Sequence, residues 1–266
     1  MLTKTYKIVA LIKVVSLIIG TIIIGYELGT SIEKENKVTN SENIVFILDV
    51  SNSMNVNDVK GKYSVPVSRL ELSKQFINNS IDNSNGIKLG LILFSQNSVF
   101  YIPPTFDKNT LKKYVNQITT STILYGGTNI PDGIEEFANI KNGNYVGVLL
   151  SDMGDQEDEN GIISELQKIK THNKIIPVGV GTLGGGLVKY SNGEFVVKDG
   201  LKHESTRNDN LGKYIGDKFN SDYYTIENID EIGNIKPLNT NKLSLEKDTK
   251  NNTMMIIGLF MILIGI

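Results

Sequence analysis

Residues 44–53 read IVFILDVSNS. The opening IVFIL carries no polar break and closes on Asp49. A short continuous apolar run of this kind suits a strand buried on both faces, as in a parallel sheet. Beyond it, alternate residues of an extended segment point the same way, so Asp49, Ser51 and Ser53 can converge on one point just past the strand. One carboxylate and two hydroxyls are hard oxygen donors, too few to complete an octahedral shell. The remaining oxygens must come from elsewhere in the chain.

The same kind of strand recurs at 88–95 (KLGLILFS), 145–151 (YVGVLLS), 174–180 (KIIPVGV) and, more briefly, 223–226. Helical patterns fall between these runs. Residues 69–81 place Leu70, Phe76, Ile77 and Ile81 near one face, with Ser68 as N-cap; further helices are expected over 108–118, 130–140, 162–171 and 208–219. Ser191-Asn192-Gly193 reads as a hairpin turn. Strands alternating with helices imply βαβ units, hence an α/β fold: a doubly wound, mostly parallel sheet flanked by helices. Such sheets bind ligands at the carboxyl ends of their strands. Gly126-Gly127-Thr128 precedes the helix near Ile130, and Asp152 ends the strand YVGVLLS, so both are expected at the same edge as Asp49. The candidate metal ligands are therefore Asp49, Ser51, Ser53, Thr128 and Asp152.

Composition narrows the choice of metal. The 266 residues contain no cysteine and two histidines, His172 and His203. Disulfides, thiol nucleophiles and cysteine-bound zinc are excluded, and a multi-histidine site nearly so. Any metal must be held by oxygen ligands, which favours Mg²⁺, Mn²⁺ or Ca²⁺. The formal net charge of −2 gives no reason to expect a nucleic-acid partner.

D-x-S-x-S after an apolar strand, a later Gly-Gly-Thr and a later strand-terminal Asp resemble the metal-ion-dependent adhesion site of von Willebrand factor A domains. Three further stretches agree. Residues 68–74 (SRLELSK) resemble the start of the first helix in bacterial members, 127–133 (GTNIPDG) their threonine loop, and 176–182 (IPVGVGT) their penultimate strand. The resemblance spans about 43–228, and the apolar ends of the chain extend it to the Bat (aerotolerance) branch of bacterial inner-membrane proteins. It implies that Asp49, Ser51 and Ser53 coordinate the metal, and that Thr128 and Asp152 do so directly or through water. It also implies protein binding, in which a partner's Asp or Glu carboxylate replaces a metal-bound water, and no catalysis. One departure stands out: bacterial members often carry Gly immediately after the second Asp, where Met153 stands here.

The ends of the chain point to a membrane. Residues 8–26 are apolar except for Lys13 and a few small polar residues, about the length of a membrane-crossing helix. Lys4 and Lys7 precede the run and Glu27, Glu33 and Glu35 follow it, which puts Met1 in the cytoplasm and the domain on the extracytoplasmic side of the cell membrane. No A-x-A-like cleavage site follows, so an uncleaved anchor is expected in preference to a signal peptide. Residues 254–266 are wholly apolar but short, as in the start of a second, truncated transmembrane segment. The expected organisation is thus anchor 1–30, stalk 31–43, domain 44–235, linker 236–253 and second apolar segment 254–266.

Several motifs read as ordinary structure. Asp58 and Asp132 suit surface or capping positions, 152–159 (DMGDQEDE) a solvated loop, and the two histidines the surface. Residues 179–184 match G-x-G-x-x-G, but a hairpin signal follows where a nucleotide-binding helix would have to open. A Mg²⁺-dependent hydrolase or phosphotransferase with Asp49 as nucleophile would want a second carboxylate at position 51, where Ser51 stands. A metal-independent structural scaffold is the third alternative.

Overall fold

In the computed structural model, described residues are 42–234 apart from 124–125, 142 and 155–158, together with 15, 19 and 21. Apart from those last three, which are helical, the expected N-terminal anchor lies outside the described residues. So do the stalk up to 41, the linker and the second apolar segment. Among the described residues no helix is long and apolar enough to cross a membrane.

The central sheet has six strands: β1 (Asn43–Asp49), β2 (Leu89–Phe94), β3 (Ser98–Thr105), β4 (Tyr145–Ser151), β5 (Lys174–Val180) and β6 (Tyr224–Ile226). Their spatial order is β6-β5-β4-β1-β2-β3. Every neighbouring pair is parallel except β2 with β3. Five helices complete the layers: α1 (Arg69–Asn83), α2 (Lys108–Gln117), α3 (Ile130–Ala138), α4 (Glu159–Lys168) and α5 (Asp209–Lys218).

Alternation along β1 explains both cores. Ile44, Phe46 and Leu48 point into one cluster with Leu72, Phe76 and Ile77 of α1 and Leu111 and Val115 of α2. Val45 and Ile47 point the other way, against Ile134 and Phe137 of α3, Leu166 of α4 and Leu211 and Ile215 of α5. Residues of one strand thus feed opposite faces, as the pleat requires, and both faces are covered.

Helix starts are set by short polar side chains. The Ser68 hydroxyl accepts from the Glu71 N–H at 3.2 Å and the Asn129 side-chain Oδ1 from the Asp132 N–H at 3.2 Å. Asn208 caps α5, accepting from Asn210 and Leu211.

The strand β3 was absent from the expected elements. Pro103 and Pro104 interrupt it, and proline is confined to edge strands because it cannot donate to a ladder. Its place at the rim of the sheet, with register shifts against β2, satisfies that restriction. Connections leave β1 in both directions: β2 lies on one side of it and β4 on the other. The order therefore reverses between β1 and β4, and the crevice at such a switch point opens at the carboxyl ends of those two strands. Asp49 ends one and Asp152 follows the other.

Candidate metal centre

The chain leaves β1 in an extended step and enters a single turn at Asn52–Asn55. Asp49 is fully buried, and one of its carboxylate oxygens accepts from the Ser51 N–H at 2.8 Å. The other accepts from the Ser151 hydroxyl at the end of β4, at 2.6 Å. The hydroxyls of Ser51 and Ser53 lie 3.1 Å apart. Asp49, Ser51 and Ser53 therefore form one tight group at the carboxyl end of β1, as the spacing predicts.

Asp152 is also fully buried. Its backbone carbonyl accepts from the Asn208 N–H at 2.9 Å, which fastens the end of β4 to the cap of α5. Thr128 stands half-buried on the loop before α3. The neighbouring Asn129 N–H donates to the Ser95 carbonyl at 2.7 Å, holding this loop at the carboxyl end of β2, the strand beside β1. A cavity of about 250 Å³ opens next to Ser51, lined among others by Asn52, Thr120, Gly126 and Tyr190.

Burial, and secondarily the charge of Asp152, push the Asp49 carboxyl up to about 7 against the opposing hydrogen bonds from Ser151 and Ser51. Two carboxylates sharing a water-poor edge each disfavour ionisation of the other. A divalent cation there would offset that repulsion. Each carboxylate oxygen can accept more than one contact, so the hydrogen bonds to Asp49 leave acceptor capacity for a metal. Asp49 with the Ser51 and Ser53 hydroxyls supplies hard oxygen donors that suit Mg²⁺, Mn²⁺ or Ca²⁺. The residues present fit such an ion. Among the described residues no three His, Asp or Glu side chains gather to hold a metal ion, so the candidate centre rests on two carboxylates and neighbouring hydroxyls.

The von Willebrand factor type A domain family matches residues 44–174. The chain carries a von Willebrand factor type A domain. Among solved structures it is similar to an aerotolerance-related membrane protein from Bacteroides fragilis NCTC 9343. That likeness has 24% identity and a TM-score of 0.62, covering 74% of this chain and 98% of that one. It is also similar to the conserved hypothetical protein BatB from Bacteroides thetaiotaomicron, with 19% identity and a TM-score of 0.59, covering 81% of this chain and 98% of that one. No curated protein sequence matches the chain.

Within this von Willebrand factor A domain the structure adds residues that the sequence did not single out. Arg69, at the first turn of α1, is completely buried. It donates two parallel hydrogen bonds to Asp58, at 2.9 and 2.8 Å, and a third to Asp152 at 2.5 Å. Ser205 joins the network: its hydroxyl lies 3.0 Å from both Arg69 and Asp152, and its carbonyl accepts from Arg69 at 2.9 Å. Asp58 also accepts from the N–H and hydroxyl of Thr182. Burial opposes both charges, but the hydrogen bonds and opposite charge outweigh it, raising Arg69 and lowering Asp58 from their ordinary values. The expectation that Asp58 is a surface or capping residue is therefore corrected: its side chain is 6% exposed because a buried guanidinium needs a buried counter-ion. Asp132, half-buried in the first turn of α3, does not cap that helix: its carboxylate accepts from the Ser98 N–H at the start of β3, while Asn129 is the cap.

Met153, in place of the usual Gly after the second Asp, adopts a left-handed backbone with φ of 54°. That conformation is one a glycine would take without strain. Its side chain is fully buried in the α3–α5 core. The turn is held by the Met153 N–H to the Ser151 hydroxyl and by the Gly154 N–H to Asp152, both 3.0 Å. After β5 the 179–184 glycine run leads into short antiparallel pairings, 186–187 with 204–205 and 197–198 with 201–202. The next helix, α5, opens only at Asp209. The turn at 191–193 forms as expected, with a bridge between Lys189 and Phe195. His172 is exposed and His203 half-buried.

Proposed function

We propose that this domain binds a divalent cation, Mg²⁺ with Mn²⁺ or Ca²⁺ as alternatives, through Asp49, Ser51, Ser53, Thr128 and Asp152. The metal in turn holds an Asp or Glu carboxylate of a protein partner. The single observation carrying this reading is the pair of fully buried carboxylates, Asp49 and Asp152, at the two strand ends that flank the switch point. Two hydroxyls on the same turn complete a hard-oxygen donor set. A metal held by few charged ligands keeps Lewis acidity, and an acidic side chain is the natural anion to displace its water. The cavity beside Ser51 gives such a side chain a route to the edge.

The role is metal-dependent protein–protein interaction or assembly at the cell envelope, and it is not catalytic. Ser51 stands where a phosphotransferase would want an acid–base carboxylate, and its N–H is tied back to Asp49. The solved structures described above are named as membrane proteins or Bat proteins. Together with the apolar run at 8–26 and its flanking charges, that supports anchoring in the cell membrane with the domain on the extracytoplasmic side. A second apolar segment at 254–266 fits the same placement.

The test is thermal unfolding of the full chain in detergent, in EDTA and in excess Mg²⁺ or Mn²⁺. Metal at about 100 times its dissociation constant adds roughly 2.7 kcal/mol, a rise of about 5–10 °C for a domain of this size. The rise should vanish in Asp49→Asn. Asn is preferred to Ala because Ala would leave the Ser51 N–H and Ser151 hydroxyl unpaired in a buried place. Equal melting temperatures in EDTA and metal would favour the metal-independent scaffold.

A further inference from the structure

Arg69 makes an unusual neighbour for a metal site. It is a permanent cation, fully buried, with one N–H 2.5 Å from a carboxylate oxygen of Asp152. Its other side is bound bidentately by Asp58. Three charges are thus enclosed together: Asp58, Arg69 and Asp152, a net charge of minus one when all are ionised. Asp49, a short way along the same edge, has only neutral donors, Ser51 and Ser151. The two carboxylates offered to a metal are therefore not equivalent. Asp152 already has a cation and Asp49 does not.

We infer that Arg69 is a built-in counter-cation that competes with the divalent metal for Asp152, so that the metal is held chiefly by Asp49 and keeps excess positive charge for a partner's carboxylate. This rests on the metal reading given above and deepens it. Asp58 sets the strength of the competition. By sharing Arg69, it draws part of that positive charge away from Asp152. The guanidinium cannot leave easily, because the Ser205 carbonyl and hydroxyl fix its remaining N–H groups. Gly181 provides the space: a Cβ there would lie 2.6 Å from Arg69 Nε. Arg69 is on this account a positioning residue that acts on the metal through Asp152.

Two variants shift the competition in opposite directions. Asp58→Asn leaves Arg69 with Asp152 as its sole carboxylate, so metal binding should weaken at least threefold. Arg69→Met combined with Asp58→Asn removes the buried cation and the charge of one of its two carboxylate partners, and leaves Asp152 to the metal. Metal binding should then tighten at least tenfold, about 1.4 kcal/mol. The measurement is the Mn²⁺ dissociation constant of the full chain in detergent by titration calorimetry, with metal-free melting recorded alongside to show that each variant folds. A purely structural Arg69 would weaken metal binding in both variants, and so would overturn the inference. Should the double variant fail to fold, unchanged or tighter binding in Asp58→Asn would overturn it instead. Absence of Mn²⁺ binding in the unsubstituted chain would overturn the metal reading and this inference together. Normal binding there with an unshifted double variant would overturn the inference alone.

Discussion

In the metal-free protein the Asp49 carboxyl titrates at about 7, whereas in an unfolded chain it titrates near about 4. Between those values the folded protein keeps a proton that the unfolded chain has lost. Its contribution to stability is therefore fully present at low pH and lost as pH rises through about 7. The slope is about 1.4 kcal/mol per pH unit. From about pH 5.5 to about pH 8 it acts over roughly 1.5 units, a loss of about 2 kcal/mol, or about 4–8 °C in melting temperature. Asp49→Asn keeps the shape of the protonated carboxyl and cannot ionise, so this component disappears. The assay is thermal unfolding in EDTA across that pH range, wild type against Asp49→Asn. The wild type should lose stability relative to the variant as pH rises, and saturating Mg²⁺ should abolish the relative loss. Parallel pH profiles would refute the reasoning, since every other titrating group is common to the two proteins.

Other substitutions test separate parts of the account. Thr128→Ala should leave the EDTA melting temperature within about 2 °C and reduce the metal-induced rise, because a half-buried hydroxyl contributes little without metal; an unchanged rise would remove Thr128 from the ligand set. Met153→Gly relieves about 1 kcal/mol of left-handed strain but deletes a fully buried side chain worth about 2–5 kcal/mol. Packing should win, with a net loss of about 1–4 kcal/mol in denaturant unfolding; a stabilised variant would show that the strain dominates. At Gly133 a Cβ would lie 2.9 Å from Phe94 Cγ, so Gly133→Ala should destabilise by about 1–3 kcal/mol, and a neutral result would show that α3 can shift off the sheet.

The parts of this fold that were legible in the sequence are those in which local pattern and final environment agree. The apolar run of β1 reads as a doubly buried strand because it is one, and Ser68 and Asn208 mark helix starts with their own side chains. The convergence of Asp49, Ser51 and Ser53 follows from a local period of two residues. β3 was missed because Pro103 and Pro104 suppress the strand signal, and only an edge place in the sheet makes them tolerable. Arg69 and Asp58 were missed for a different reason. A charged residue at a helix start or in a loop reads as solvated, and its burial is decided by a partner distant in sequence: Asp152 lies 83 residues from Arg69. The room for the guanidinium is made by Gly181, through a left-handed φ and a close approach that only the folded chain reveals. Met153 likewise shows its strain only in three dimensions, because an Asp-Met step carries no local mark of a left-handed backbone.

The most direct test of the metal centre is a crystal soaked in Mn²⁺ and measured at a wavelength where manganese scatters anomalously. One strong anomalous peak is expected at the carboxyl end of β1, within about 2.0–2.6 Å of an Asp49 oxygen or the Ser51 and Ser53 hydroxyls. Asp152 should stand behind it, still paired with Arg69. A well-ordered site with no peak there, or a peak held by other residues, would contradict that placement.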